Sequence, residues 1–403
     1  MQLPIYLDYN ATTPCDPQVA EAMMPFFTRF FGNAASRSHA FGWQAEEAVT
    51  GAREQVARLI GAQEAEIVFT SGATESDNLA LKGVYELFSG KGNHIITTVI
   101  EHKAVLDTCK HLEKLGADIT YLPVNSEGLV DLDQLAAAIR PTTILISVIY
   151  ANNEIGVIQP MREIGALAKE KGILFFSDAT QAVGKIPVEV MADGIDLMAF
   201  SAHKLYGPKG VGALYVRRRN PRVRLVAQLD GGGHERGLRS GTLNVPGIVG
   251  FGKACALCEA QLETEAQRLG GLRDKLEAAL LQLEETYVNG SRSFRLPQVT
   301  NLSFAYIEGS ALMMGFNKDI ALSSGSACTS ASMEPSYVLK ALGLGNDLAR
   351  SSLRFSLGRF TTEEEVDYVI ERISATVRHL RATSPVWNLY QQGVEFDRTG
   401  WKK

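Results

Sequence analysis

Between about Asp16 and Leu257, short apolar runs alternate with amphipathic stretches. The runs Ile67 to Thr70, His94 to Ile100, Ile144 to Ile149, Ile173 to Ser177, Leu197 to Ser201 and Val211 to Val216 are strand-sized. Their mostly apolar character fits strands covered on both faces. Between them, apolar residues recur every three or four positions over Trp43 to Ile60, Glu75 to Phe88, Lys103 to Leu115 and Met161 to Lys171, which predicts helices. The alternation predicts one large α/β domain with a mostly parallel sheet. From Val245 the pattern becomes a long charged amphipathic stretch, with Gly270 and Gly271 expected to break it. Runs at Val299 to Ile307, Ile320 to Ser323 and Leu353 to Leu357, then a helix around Glu363 to Leu380, predict a second, smaller α+β domain.

The composition narrows the class of protein. With 403 residues, 45% of them hydrophobic, the chain can bury a sizeable core. A formal net charge of -5 offers no general attraction to nucleic acid or anionic lipid. Arg217, Arg218, Arg219, Arg222 and Arg224 make a local basic run after a strand, either a solvated loop or a place for an acidic protein partner. No apolar stretch approaches the roughly 20 residues of a membrane span, and the first residues carry no export signal. Five scattered cysteines make no disulfide framework and fit a reducing cytoplasm. Cys255 and Cys258 form a C-x-x-C in a helical stretch without a second pair, which favours helix positions over a metal or redox role. The aromatics after Pro385, Trp387, Tyr390, Phe396 and Trp401, belong to a tail expected to make few fixed contacts and to dock a partner.

Candidate chemistry gathers at strand ends, where open parallel sheets bind ligands. Thr70 to Glu75 reads as strand, glycine turn and helix start, offering backbone N–H groups to a phosphate or merely an ordinary cap. Asp178 directly follows an apolar strand, where a carboxylate needs a cationic partner. Lys204, in Ser201-Ala202-His203-Lys204, follows another, and a desolvated lysine is a nucleophilic amine suited to a Schiff base. Each alone has a bland reading as a cap or a solvated loop. Together they match the needs of pyridoxal phosphate: a lysine for its aldehyde, an acid for its ring nitrogen and a helix start for its phosphate. His102, at a further strand end, could stack on the ring and move protons. Cys328 lies in Ser323-Ser324-Gly325-Ser326-Ala327-Cys328-Thr329-Ser330, a run too small to pack, and reads as a reactive thiol on a mobile arm.

These motifs, with Tyr6 to Thr13, Phe69 to Asn78, Glu101 to Lys103, Asn152 to Gly156, Asp178 to Gln181, Gly231 to Thr242 and Arg354 to Arg359, run nearly end to end. They resemble the cysteine desulfurases of the IscS/NifS type, class V aminotransferase-like enzymes, and within them the long-arm group. The resemblance implies an α/β pyridoxal-phosphate fold type I, aspartate-aminotransferase-like. Residues 16–260 would form the large domain, and residues 1–15 with 261–403 the small one. Lys204 would hold pyridoxal 5'-phosphate, Asp178 pair with its ring nitrogen, Gln181 bond its phenolic oxygen and His102 stack on the ring. Ala73, Thr74, Ser201 and His203 would hold the phosphate, joined by Thr242 from the other subunit of a homodimer. Asn153 and Arg354 would grip the carboxylate of L-cysteine, the latter by a planar fork. Cys328 would take the sulfur as a persulfide, leaving L-alanine, and deliver it to an iron-sulfur scaffold of the IscU kind and to other acceptors. No metal is implied in the resting enzyme, with Cys328 a ligand only toward a cluster being transferred. The chain departs from the family's usual residues at Ala34, Ala202 and Met314 to Lys318. Two rivals are a selenocysteine or other pyridoxal lyase of this fold and a non-catalytic assembly scaffold.

Overall fold

The computed structural model describes residues 2–324 and 334–394; Cys328 therefore lies outside the described residues, as do Phe396 and Trp401. A seven-stranded sheet forms the centre. In spatial order its strands are Ile67–Thr70, Gly212–Val216, Leu197–Ser201, Leu174–Asp178, Thr143–Ser147, His94–Thr98 and Asp118–Leu122. Only Gly212–Val216 runs against the rest. Alternation divides each strand between two cores. Met198, Phe200, Ala213 and Tyr215 join one, whereas Leu197, Ala199, Leu214 and Val216 join the other. Against the first core Ala40–Leu59 buries Ala45, Val49, Ala52 and Val56, a stripe at helical spacing. The edge strand Asp118–Leu122 escapes the hydrophobic pattern because only Leu122 in it is buried.

A second core lies around the antiparallel sheet Ser323–Ser324, Ser352–Ser356, Val299–Phe304 and Thr286–Val288. Both chain ends contribute. Ile5–Tyr6 pairs in parallel with Ile320–Ala321, and Ile5 and Leu7 are buried in this core. The helix Glu363–Thr383 starts on a Thr362/Glu365 capping box and inserts Val366, Val369, Ile373 and Val377.

The expected break at Gly270 and Gly271 is absent: Val245–Leu280 is one helix of 36 residues. Its first half places Val245, Ile248, Phe251, Cys255 and Cys258 in the first core, and its second half places Leu269, Leu276 and Leu280 in the second. Two glycines cost a helix about 2 kcal/mol, less than the roughly 1.5–3 kcal/mol gained for each buried leucine. Packing on both sides overrides the local preference. The same burial makes Cys255 and Cys258 core residues, and burial pushes the Cys258 thiol up to about 11.

Two surface expectations also change. Arg217 is buried, its Nη2 on the Ile195 carbonyl and its Nη1 3.3 Å from Asp196, so the exposed basic run reduces to Arg219, Arg222 and Arg224. The tail is fixed at its start. Pro385–Gln391 is a helix in which Tyr390 stacks on Tyr306 at 4.7 Å, and Arg381 lies over the Trp387 ring at 4.7 Å. Aromatic faces that meet one another are spent on intramolecular packing.

Candidate active site

The carboxyl ends of the central strands and the N-terminal segment enclose a cavity of about 660 Å³, within the range of small-molecule sites. It is lined by Ala73, Thr74, His102, Asn153, Asp178, Gln181, Ser201, His203, Lys204 and Arg354. The structure thus brings together every candidate residue of the described part except Thr242, which is exposed outside this cavity. Asp8, Asn10, Thr12, Ser71, Glu75 and Lys209 line it too and carried no assigned role from sequence.

At one end, Ile67–Thr70 turns at Gly72 into the helix Ala73–Phe88. Gly72 has φ +154° and gives no side-chain cap, so the first-turn N–H groups are not satisfied by a residue at the cap. The turn lies close on the neighbouring strand because Gly212 has no side chain; a Cβ there would come within 2.7 Å of the Gly72 Cα. Glu75 opposes an anion at this end, but Arg239 Nε donates to its Oε1 at 2.8 Å and the Ser71 N–H to its Oε2 at 2.7 Å. Burial works to raise the Glu75 carboxyl, and the bonds from Arg239 and Ser71 prevail and lower it. His203, beside this turn, meets Thr12 Oγ1 through Nδ1 at 3.1 Å. Burial, then Lys204 and Lys209, lower its ring to about 4, so it is neutral at pH 7.

At the centre, Asp178 ends the strand Leu174–Asp178, 4% exposed, its Oδ1 accepting the Thr180 N–H at 2.9 Å. His102 caps the helix Lys103–Lys114 by accepting the Ala104 N–H at Nδ1, which puts the proton of its neutral ring on Nε2. Burial lowers the ring's pKa, opposed by Asp178 and assisted by Lys204. Lys204 closes the 3-10 turn Ala202–Lys204 and donates from Nζ to the carbonyls of Asn10 and Ala11 at 2.5 and 2.7 Å. Ala202, one of the departures, is fully buried and fits.

At the far end Arg354 is 2% exposed. Its Nη1 donates to the Asn153 carbonyl at 2.9 Å and its Nη2 to Asp8 Oδ1 at 2.6 Å. Ser323 donates to the other oxygen of Asp8, tying the last residues before 325 to this corner. Beyond the segment, Ser336 donates to Glu154 at 2.5 Å and Tyr337 to the Glu101 carbonyl at 2.6 Å.

Buried polar atoms normally find partners, yet Asn10 Oδ1, Asn153 Oδ1, Thr180 Oγ1 and Arg354 Nε have none, and all four residues line this cavity. A polar ligand is the ordinary remedy. An open helix start, a buried aspartate and a lysine lining one cavity match the phosphate, ring nitrogen and aldehyde of pyridoxal phosphate. Among the described residues no cluster of His, Cys, Asp or Glu could hold a metal ion.

Comparison with known proteins agrees with this geometry. The model of the class V aminotransferases matches residues 5–369. Cysteine desulfurase IscS of Photorhabdus laumondii is 58% identical over 403 residues, all of this chain and 99% of the relative. Cysteine desulfurase IscS of Escherichia coli is 57% identical over the same span. Among solved structures, a NifS-like protein matches with a TM-score of 0.87 at 39% identity, covering 94% of this chain and 100% of its own. SspA in complex with cysteine matches with a TM-score of 0.79 at 38% identity, covering 89% and 100%. The fold is that of the class V aminotransferases, pyridoxal-phosphate fold type I. Within that class the chain belongs to the IscS-type cysteine desulfurases.

Proposed function

We infer that this protein is a pyridoxal-phosphate-dependent cysteine desulfurase, releasing L-alanine from L-cysteine and leaving the sulfur on Cys328 as a persulfide. The observation that carries the reading is the single cavity holding Lys204, Asp178, His102 and the open helix start beside a buried arginine. When bound, pyridoxal phosphate supplies an electron sink for charge developing at the substrate Cα. Asp178 would hold its ring nitrogen, Gln181 its phenolic oxygen, and Ala73, Thr74, Ser201 and His203 its phosphate, with Thr242 of a second copy.

The chain's own residues then divide the work. Arg354 and Asn153 receive the substrate carboxylate, the guanidinium offering its partnerless Nε. Lys204 takes the Cα proton, and its amine stands between the Asn10 and Ala11 carbonyls. His102, with its proton on Nε2, donates in the cavity. The Cys328 thiolate attacks the substrate sulfur: an S–S bond forms, the Cβ–S bond breaks with its electron pair left on carbon, and a proton completes the alanine methyl. Cys328 follows Ser324 by four residues, at most about 14 Å of chain, and Ser323 lines the cavity.

Residues 16–260 serve as the cofactor-binding domain, with residues 1–15 and 261–403 as the smaller one, a division supported by the two separate cores. A homodimer is supported by the exposed apolar side chains Met24, Phe27, Phe31, Phe41 and Trp43, a concentration that monomers rarely leave uncovered. The sulfur would pass to an iron-sulfur scaffold and other acceptors in the cytoplasm. No helix of the described residues is long and apolar enough to cross a membrane, and Cys15, Cys109, Cys255 and Cys258 are free thiols. The test is stoichiometric: the purified protein with L-cysteine should give alanine and protein-bound persulfide, and Cys328→Ser should bind cysteine with a spectral change yet release no alanine. Normal turnover by Cys328→Ser, or selenocysteine as the sole substrate, would overturn it.

A further inference from the structure

Four residues after Gln181, Lys185 sends its ammonium back toward the site, and Nζ lies 2.5 Å from Gln181 Oε1. The ammonium form of a lysine only donates and the Asn10 carbonyl on the other side only accepts, so the two contacts together place Oε1 toward Lys185. The reverse orientation would set an NH₂ group against an NH₃⁺ group. With Oε1 committed, Gln181 Nε2 points the other way and donates to the Asn10 carbonyl at 2.9 Å. That same carbonyl accepts from Lys204 Nζ at 2.5 Å. Lys185 and Lys204 are thus joined by a chain of three hydrogen bonds through Gln181 and Asn10.

We propose that Lys185 is a positioning residue that fixes the Gln181 amide so that an N–H, and never the carbonyl, faces the phenolic oxygen of the cofactor. The proposal rests on the reading that Gln181 meets that oxygen. An amide carries two N–H bonds on Nε2; one is taken by Asn10, which leaves the other for an acceptor in the cavity that Gln181 lines.

The surroundings of Lys185 fit such a task better than a packing role. It lines a small cavity of about 20 Å³ with Tyr9, Thr13, Glu265 and Gln298, large enough for one water. As a residue it is only partly buried. Burial first, then the positive charges of Lys204 and Arg354, push it down to about 7, with Cys258 and Glu265 acting in the opposite direction. A lysine kept in so unfavourable a place contributes through its amine, because an apolar side chain would fill the same space without that cost.

The consequence is spectroscopic. An N–H directed at the phenolic oxygen stabilises negative charge there and so weakens the proton affinity of the nitrogen linking Lys204 to the cofactor. In Lys185→Met the amide keeps only its bond to the Asn10 carbonyl, an acceptor it shares with Lys204, so its orientation is held less firmly and the pH midpoint of the bound cofactor's visible colour change should rise by about one unit, tenfold in proton affinity. Gln181→Leu should give a rise of similar size, and the double variant no more than Gln181→Leu alone. Lys185→Gln, whose own amide can present either face and so orients nothing, should behave as Lys185→Met and serves if the latter fails to fold. An unshifted midpoint in Lys185→Met, with Gln181→Leu shifted, overturns the proposal. So do additive shifts in the double variant, which would mean that Lys185 acts by charge alone. No shift in Gln181→Leu removes the reading of Gln181 itself, while loss of the visible band in a Lys204→Ala variant tests separately that the cofactor is held on Lys204.

Discussion

Replacing Arg354 with lysine separates the charge of this corner from its geometry. The guanidinium holds the Asn153 carbonyl with Nη1 and Asp8 with Nη2, and its Nε is buried without a partner. A lysine can keep one of these contacts but cannot present two parallel N–H bonds to a carboxylate. The substitution therefore removes about one charge-assisted hydrogen bond to substrate, about 1.5–3 kcal/mol. At 1.4 kcal/mol per tenfold, KM for L-cysteine should rise on the order of ten- to a hundredfold, with kcat changing about threefold or less. The visible band of the cofactor should stay in place, because Lys204, Asp178 and the helix start are untouched. Steady-state alanine release against cysteine concentration gives both constants, and the absorbance of the same sample checks the cofactor. A KM within twofold of the unaltered protein would refute the assignment of Arg354 to the substrate carboxylate. A collapse of kcat at constant KM would refute it equally, by placing the arginine in the chemistry instead.

Two further predictions concern what holds the site in place. Glu235 forms a buried bidentate pair with Arg53, 2.7 Å on each side, and also accepts the Phe69 N–H; Glu235→Ala should destabilise by about 3–5 kcal/mol in urea titration, and a loss below about 1 kcal/mol would show that the pair is not needed. His203 is held neutral down to about pH 4, whereas the unfolded ring titrates near 6.5. The unfolded cofactor-free protein therefore binds the extra proton between those values, and stability should fall as pH drops from about 6.5 toward 4. His203→Asn should flatten that part of the curve, and parallel curves for the two proteins would contradict the shift.

The alternating core was legible in sequence because strands such as Leu197–Ser201 are buried on both faces and read as solid apolar runs. Lys204, Asp178 and His102 were legible for the related reason that each lies within three residues of the end of such a run. What was missed lacks that signature. Asp8 and Asn10 follow only a two-residue strand, Ile5–Tyr6, and reach the cavity because the N-terminal segment is laid across it by contacts hundreds of residues away, such as Asp8 with Arg354. Lys185 looks like any lysine before a proline-containing turn. Its significance is a 2.5 Å contact that no periodicity encodes. The continuous helix through Gly270 and Gly271 was misread because local preference was the only information available there, and packing from two cores decided the matter.

That helix has a mechanical meaning. A rod of 36 residues is about 54 Å long, and here each half is rooted in a different body. Tilting one body relative to the other cannot be accommodated by a loose tether; it has to bend or carry the rod. The diglycine sits just inside the second root, directly after Leu269, the first residue of the helix in the second core. A Cβ on Gly271 would meet nothing within 4 Å, and one on Gly270 would meet only Pro297, at 3.9 Å. The rod is thinnest there, so flexure concentrates at one point and the stiff halves transmit it. Arg354 belongs to one rooted body and Lys204 to the other, so the curvature of this helix acts on their separation beside the direct bond from Arg354 to the Asn153 carbonyl.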